Sequence, residues 1–521
     1  MNLFDAIFQS DHSGPALVSD GREMSYAELR EQTLEMARAL SSLGVAPQDR
    51  VVLLLNDSPD FVSAFIAICS MGAIAVPINT ALRATDQCTI ASNCGAQTAL
   101  VDGDLCKMLL IDGAESLQQL KKVVIVDTGE STGRTIRGAF NVLILAEVQR
   151  DSRSLQTPAF PTPLKDEPAF ILYTSGSTGE AKGAVHRQSD IFYTNETYCR
   201  EVLKVTSDDR LFSSSRLPFA YGLGNSFTFP LLNGATTILC RAKPTALLIA
   251  EIFERDKPTI FFGVPVVYNL LLEHHGGSNN LDCSSLRLCV SAGEALPQHL
   301  GETWEKTFAI PVLDGIGSTE MLHMFMSNHQ KEIRYGSSGK VLENYEARLL
   351  DEYGNEAASG VEGNLWIKGE SAAIGYWERA DETARTFVDG WVLTGDLYRC
   401  TDGYWYHMGR SDDCFKSSGQ WVSPVEVEGV LVRHLSVARV AVVEGFDDDA
   451  LACPFAFIVS RDVKLDAPRL ESELRELASR SLPRFKQPRR YKFVTELPYT
   501  ATGKIQRFKL RQQLRDQDPG T

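Results

Sequence analysis

No pair of cysteines in this chain has the spacing of a zinc site or a dithiol motif. There are eleven cysteines and no Cys-x-x-Cys, and the close pairs Cys88/Cys94 and Cys283/Cys289 have the wrong separation for a metal. An odd number of thiols set among apolar neighbours reads as buried free cysteines in a reducing compartment. Basic charge is scarce. Fifty-two Lys/Arg face 67 Asp/Glu, a net charge of -15, which argues against a general binder of nucleic acid or anionic membrane. The run Met1-Asn2-Leu3-Phe4-Asp5 has no basic n-region, so a cytoplasmic protein is expected. Long apolar runs are also missing, with one exception: residues 61–78 carry no charge and raise the question of a membrane span. They contain Ser63, Ser70, Gly72 and Pro77, and read better as a buried helix, a glycine turn and a short strand. Internal repeats and low-complexity tracts are absent, which excludes solenoid and array architectures.

What remains is an ordinary globular composition, 44% hydrophobic and 23% charged, spread over 521 residues and therefore over several domains. Residues 24–46 have helical periodicity, opened by Ser25 and closed by Gly44, and a strand follows from Arg50. Helix and strand alternate to about residue 310, which implies parallel sheets covered by helices. Residues 127–168 are polar and proline-bearing and read as a connection. Beyond 335, short strands separated by glycine turns suggest a β-rich part. A last unit beyond Gly409-Arg410 combines helices and strands. Charge breaks at the same place: from Asp413 onward there are 18 basic and 15 acidic residues, against 34 and 52 before it. A domain boundary is expected near residue 412.

The chemistry-bearing stretch is Tyr173-Thr174-Ser175-Gly176-Ser177-Thr178-Gly179-Glu180-Ala181-Lys182-Gly183, fed by the apolar strand-like run 169–173. Hydroxyls alternating with glycines and closed by a lysine can cradle phosphate oxygens. It is not a Walker A loop, because Lys182 is followed by Gly183 rather than by a magnesium-binding hydroxyl. A P-loop phosphotransferase is thereby excluded. Asp314-Gly315-Ile316-Gly317-Ser318-Thr319-Glu320 follows an apolar strand and reads as a glycine-rich turn. There Thr319 can face a phosphate and Glu320 can hold magnesium; the competing reading is a hydroxyl cap before a helix. Thr394-Gly395-Asp396 and Gly409-Arg410 end two further strands, and Lys504 stands on a polar loop, residues 498–505.

In this order and spacing, over nearly the full length, the motifs resemble the adenylate-forming superfamily of acyl- and aryl-CoA synthetases, luciferases and peptide adenylation domains. The resemblance implies an α/β fold: a large N-terminal domain, 1–411, of two parallel-sheet subdomains plus a β-barrel, and a small mobile α+β C-terminal domain, 412–521. It implies that Thr174, Ser175, Ser177, Thr178 and Lys182 handle the β- and γ-phosphates of ATP. Thr319 would touch the α-phosphate, Glu320 would bind Mg2+, and Asp396 and Arg410 would hold the ribose. Lys504 would be the catalytic lysine and Asp412 the hinge. The residue before Gly317, aromatic in much of the family, is Ile316 here, so adenine would rest on a flatter apolar contact.

Such an enzyme joins a carboxylate to AMP, releasing pyrophosphate, and then passes the acyl group to a thiol. The resemblance implies that Lys416, Gly419 and Trp421 face the acyl site in the second step. From Arg484 to Arg515 there are ten basic residues and one acid, which makes Arg484, Lys486, Arg489 and Arg490 candidates for the CoA phosphates; a solvated basic face is the alternative. Residues 218–225 and 321–323 resemble the benzoate-CoA ligase branch. Ala220, Tyr221, Gly222, Gly315, Gly317 and His323 are expected around a flat slot for a ring, without the aspartate that an amino-acid substrate would require. Benzoate and small hydroxy- or aminobenzoates, including 2-aminobenzoate, all suit it. An adenylating enzyme that loads a carrier protein and a medium-chain acyl-CoA synthetase stay open on the sequence; a non-catalytic acyl-AMP binder is disfavoured, because Lys504, Glu320 and Lys182 are all present. Monomer and homodimer stay open equally.

Overall fold

Ser25 begins the first long helix by a reciprocal cap: its hydroxyl accepts from the Glu28 N–H, and the Glu28 carboxylate accepts from the Ser25 N–H at 2.8 Å. Such a cap contributes about 1 kcal/mol. The helix, Tyr26–Ser42, ends before Gly44, whose φ of +76° suits a residue without Cβ. Its buried face, including Leu29, Met36 and Leu40, lies in one core with the helix Pro59–Ser70. That second helix accounts for the charge-free stretch. It has twelve residues, too short for the ~20 that a bilayer span needs. Gly72 then turns the chain into the strand Ile74–Pro77. Among the described residues no helix is long and apolar enough to cross a membrane.

The structure is a computed structural model that describes residues 1–10, 12, 14–105, 117–126, 140–175, 181–277, 281–417, 420–447, 451–461, 466–499 and 505–517. It divides into two compact units, Met1–Ala347 with Ile367–Leu393, and Arg348–Trp366 with Thr394–Thr521.

The first unit holds two large sheets. One runs in the order Gly375–Tyr376, Ala181–His186, Phe170–Ser175, Ile74–Pro77, Arg50–Leu54, Thr98–Val101, Lys122–Ile125, Asn141–Ile144. Its strands from Phe170–Ser175 outward are parallel, and Ala181–His186 pairs antiparallel with both Phe170–Ser175 and Gly375–Tyr376. The other sheet runs Lys340–Val341, Met324–Ser327, Val312–Gly317, Leu288–Ser291, Ile260–Gly263, Arg210–Ser213, Thr236–Leu239, Pro15–Ser19, Arg22–Ser25. Central strands such as Arg50–Leu54 and Leu288–Ser291 are buried along almost their whole length, as parallel strands covered on both faces must be. This is the α/β architecture expected.

One expectation fails. The supposed connection contains a strand, Asn141–Ile144, paired in parallel with Lys122–Ile125, and a helix, Leu145–Ser152. The strand is a partly exposed sheet edge of four residues, too short and too polar at its start for an apolar run to mark it.

In the second unit, strands Val437–Phe446, Ala452–Ser460 and Arg490–Phe493 form a sheet accompanied by the helices Pro424–Leu431, Ala467–Ser481 and Arg507–Gln517. Strands Trp391–Thr401 and Tyr404–Arg410 pair across Asp402-Gly403, whose φ values of +53° and +77° are those of a two-residue hairpin turn. All ten described cysteines are free, and most are buried.

Candidate active site

In sheets with parallel strands, ligands gather where the strands end. At the end of Phe170–Ser175 the chain turns back as Ala181–His186, in a register that sets Thr174 opposite Lys182 and Tyr173 opposite Gly183. Lys182 and Gly183 are therefore strand residues, not loop residues. A Cβ on Gly183 would come within 2.7 Å of Ile171 and 2.9 Å of the Tyr173 ring, so glycine is required there for packing. Ser175 ends the first strand; Ser177 and Thr178 lie outside the described residues. The Lys182 ammonium stands 5.5 Å from the ring centroid of Tyr376, and the Tyr376 hydroxyl donates to Glu320 Oε1 at 2.7 Å. Tyr376 thus joins the two expected phosphate-binding motifs. It was not picked out from sequence, where it is one tyrosine among fifteen.

The second motif differs from its expected form. Residues 314–317 belong to the strand Val312–Gly317, and after the turn the chain returns antiparallel as Met324–Ser327, so no helix follows Thr319. Gly315 and Gly317 permit this close return. A Cβ on Gly315 would lie 2.7 Å from the Met326 carbonyl oxygen, and on Gly317 2.4 Å from that of His323. Residues 318–323 form the turn, in which Ser318 Oγ accepts from Met321 N–H at 3.2 Å and Leu322 takes a φ of +64°. Ile316 is half-buried opposite Met326. Three main-chain carbonyls of the turn are held from outside it: Thr319 by His186 Nε2 at 2.8 Å, Glu320 by Ala373 N–H at 2.8 Å, and Met321 by Ser371 Oγ at 2.9 Å.

Ala220, Tyr221 and Gly222 lie on the short helix Ala220–Leu223, which runs into a wider helical turn, Gly224–Thr228. The Tyr221 hydroxyl reaches the carbonyls of Gly263 and Val290, and its ring meets Phe262 edge-on. Burial pushes its phenol well above the ordinary value. The ring of His323 lies 5.7 Å from that of Tyr221, 5.4 Å from Tyr198 and 4.6 Å from Phe229. Its Nε2 is 3.1 Å from Asn225 Oδ1. Burial pushes the His323 imidazole down to about 3, so it is neutral at ordinary pH. Backbone passes close to Gly222: a Cβ there would meet the Arg216 carbonyl oxygen at 2.1 Å. Gly224, not singled out from sequence, admits the histidine, since a Cβ there would come within 2.4 Å of the His323 ring. Among the described residues, Tyr198 Oη, Asn225 Nδ2, His323 Nδ1 and Asp314 Oδ1 are buried polar atoms with no well-formed hydrogen bond. Burial also raises the Asp314 carboxyl well above the usual range, while the Leu296 N–H donates to its Oδ2.

In the second unit Asp396 and Arg410 are opposite one another in register, and Arg410 donates to Asp396 Oδ1 at 3.1 Å and to the Thr394 carbonyl at 2.9 Å. Asp412 is exposed in the following turn, whereas Asp413 accepts from Arg507 and, at 3.0 Å, from Arg511. Lys416 pairs in register with Trp421 and lies 3.5 Å from Glu352. Arg484 and Lys486 are on a single helical turn; the Lys486 ammonium bonds Glu426 and Arg489 bonds Asp447. These two pairs neutralise part of the expected basic patch. Gly419 and Lys504 lie outside the described residues.

Residues 4–377 match the AMP-binding enzyme family, and residues 426–504 match the AMP-binding enzyme C-terminal domain. The chain is 40% identical, over 95% of its length and 92% of the other's, to a benzoate–CoA ligase of Thauera aromatica. It is 35% identical, over 95% and 90%, to a 4-hydroxybenzoate–CoA/benzoate–CoA ligase of Rhodopseudomonas palustris. Its fold matches the crystal structure of the anthranilate CoA ligase AuaEII in complex with anthranoyl-AMP, with a TM-score of 0.91 and 34% identity over 100% of this chain and 98% of that one.

Proposed function

This chain belongs to the AMP-binding enzyme family, and we propose that it is an ATP-dependent aryl-CoA ligase acting on benzoate or a small hydroxy- or aminobenzoate. One observation carries the reading. A single turn, residues 318–323, bears at one end Thr319 and Glu320, the latter linked to Lys182 only through Tyr376, and at the other His323 packed against Tyr221. Residues read as phosphate-handling and a histidine lined by aromatic rings thus stand a few residues apart on one hairpin. Relatives that span nearly the whole chain and bear aryl-CoA ligase names support the same reading.

The chemistry follows from what a carboxylate lacks. Its charge repels nucleophiles and oxide is a poor leaving group. Attack of the carboxylate oxygen on the α-phosphorus of ATP forms the acyl–O–P bond and expels pyrophosphate. Attack of the CoA thiol on the acyl carbon then forms the thioester and expels AMP, the thiol proton passing to solvent. The protein must offset negative charge where two anions meet, and preorganised donors in a water-poor site each contribute several kcal/mol, by order of magnitude. In this reading Lys182, with Thr174, Ser175, Ser177 and Thr178, neutralises the outer phosphates. Thr319 orients the α-phosphate, Ile316 supports adenine, and Asp396 with Arg410 takes the ribose. Lys504 bridges acid and α-phosphate. A hard divalent cation takes oxygen ligands, and Glu320 fits one, because Tyr376 occupies only Oε1. Mg2+ held by Glu320 would supply charge neutralisation.

For the second step we place the pivot at Asp412, in the stretch between the two family matches. Lys416, Gly419 and Trp421 would then line the thiol path, with Arg484 and Lys486 toward the CoA phosphates. A cytoplasmic enzyme accords with the free cysteines among the described residues. Among the described residues the buried polar atoms of Tyr198, Asn225 and His323 make no well-formed hydrogen bond, which favours ring acids with a hydroxyl or amino group.

ATP–pyrophosphate exchange with benzoate, 2-, 3- and 4-substituted benzoates and octanoate tests the reading. Ring acids should exceed octanoate by at least a hundredfold in kcat/KM, with thioester formed on addition of free CoA. Equal turnover of octanoate would overturn the aryl assignment. Transfer only to a phosphopantetheinyl protein would overturn the CoA assignment.

A further inference from the structure

The turn that carries Thr319 and Glu320 is gripped by a buried histidine–aspartate pair to which no part of the proposed reaction has yet been assigned. His186 ends the strand Ala181–His186, is fully buried, and stacks on Phe170 with 5.2 Å between centroids and 17° between planes. Its Nδ1 is 3.0 Å from Asp190 Oδ2 and its Nε2 is 2.8 Å from the carbonyl oxygen of Thr319, 133 residues away in sequence. A carbonyl oxygen only accepts, so Nε2 carries the hydrogen that donates to it. The Asp190 carboxylate likewise only accepts, so Nδ1 donates to it and the ring is fixed from both sides.

Asp190 is itself fully buried and tightly held. Arg187 donates to it through Nε at 2.9 Å and through its backbone N–H at 3.1 Å. The other end of the Arg187 guanidinium donates to the carbonyls of Ala372 at 2.7 Å and Glu370 at 3.1 Å. The next residue, Ala373, donates its N–H to the Glu320 carbonyl at 2.8 Å. Two arms therefore leave Asp190. One runs through His186 to the Thr319 carbonyl; the other runs through Arg187 and the 370–373 segment to the Glu320 carbonyl.

A trans peptide is planar, and its C=O and N–H point in opposite directions. Fixing the Thr319 carbonyl on His186 therefore turns the Glu320 N–H away from His186, and fixing the Glu320 carbonyl sets the next plane. The directions in which the Thr319 and Glu320 side chains leave the backbone follow from these two planes. We propose that His186 and Asp190 are positioning residues for the adenylate-forming step: they aim Thr319 and Glu320 at the phosphates and the cation without touching either. This inference rests on the aryl-CoA ligase reading above. It extends that reading to the two half-reactions, because only the first forms a bond at phosphorus.

The test compares wild type with His186→Phe, His186→Gln and Asp190→Asn in the full chain. Phenylalanine keeps the stacking on Phe170 and loses both hydrogen bonds. Glutamine keeps an N–H where Nε2 stands. Pyrophosphate exchange with the best aryl acid should fall at least a hundredfold in His186→Phe, and the Mg2+ concentration giving half-maximal rate should rise at least fivefold. Thioester formation from synthetic aryl-AMP and CoA should stay within threefold of wild type. His186→Gln should recover at least tenfold of the lost exchange, and Asp190→Asn should show the same split if His186→Phe does not fold. Exchange within threefold of wild type in both His186→Phe and Asp190→Asn would overturn the inference and leave the ligase reading intact. So would an equal fall in both half-reactions with no recovery by glutamine. A wild-type protein inert toward every acid would instead overturn the ligase reading, and this inference with it.

Discussion

His323 is one side chain asked to do two things, to fill space between three aromatic rings and to offer polar atoms in a place where water is scarce. Burial settles its charge: the imidazole is pushed from 6.5 down to about 3. The consequence for stability has a definite sign. Between those values the unfolded chain binds a proton that the folded chain refuses, so stability contributed by His323 is fully present above pH 6.5 and is lost as pH falls toward 3. The slope is about 1.4 kcal/mol per pH unit inside that window. Asp57 works against it. Burial, only partly countered by Arg216, raises its carboxyl to about 6, so Asp57 favours the folded state as pH falls through 6. The useful quantity is therefore a difference. In urea unfolding at pH 6.5, 5.5 and 5.0, His323→Gln should lose less stability on acidification than wild type, by roughly 1 kcal/mol or more across the range. Parallel slopes would mean that His323 is charged in the folded protein or that the unfolded chain is not its reference.

At the scale of elements, glycines in similar helical backbone serve unlike ends. Gly224 begins the wide helical turn beneath His323, and an added Cβ would lie 2.4 Å from the imidazole and 3.2 Å from the Phe229 ring. Gly429, within the helix Pro424–Leu431, has nothing within 4 Å of the same position. Alanine has the better helix propensity at either site, by about 0.5–1 kcal/mol, so backbone preference cannot separate them. Packing does. Gly429→Ala should be neutral or stabilising by about 0.5–1 kcal/mol in thermal or urea unfolding. Gly224→Ala should displace His323 and raise KM for the aryl acid at least tenfold with KM for ATP nearly unchanged. Steady-state kinetics with each substrate varied would decide it, and an unchanged KM for the acid would remove His323 from the acyl site.

At the scale of the whole molecule the question is how one chain performs two reactions at one acyl group. The pivot proposed at Asp412 sits between two anchored neighbours. Arg410 is tied to Asp396 and the Thr394 carbonyl, and Asp413 is tied to Arg507 and Arg511 of the last described helix. Among the described residues no hydrogen bond or ion pair engages the exposed Asp412 side chain. A pivot must adopt two backbone conformations, and proline, which locks φ near −65°, denies it that. Asp412→Pro should make acyl-AMP at a substantial rate and pass it to CoA at least tenfold more slowly, a loss of about 1.4 kcal/mol or more. Single-turnover measurement of each half-reaction checks this, and unimpaired thioester formation would place the pivot elsewhere.

Period, punctuation and residue chemistry are local properties, and they were legible. The Ser25 cap, the glycine turn at Gly72, the alternation of strand and helix and the hydroxyl-rich run ending at Lys182 each reside in a few consecutive residues. The motifs, taken in order, identified the family. The edge strand Asn141–Ile144 escaped because a short, half-exposed strand has no apolar pattern of its own. What only the tertiary structure decided is which distant residues meet. Tyr376 reaches Glu320 across 56 positions and His186 reaches Thr319 across 133, because the order of strands in the sheets brings those chain segments together. Gly222, Gly315 and Gly317 show the same dependence: at each, neighbouring backbone comes too close for a Cβ, which the local sequence does not reveal. Local sequence encodes what a segment can form; contacts across a sheet depend on its strand order, which is settled only when the whole core packs.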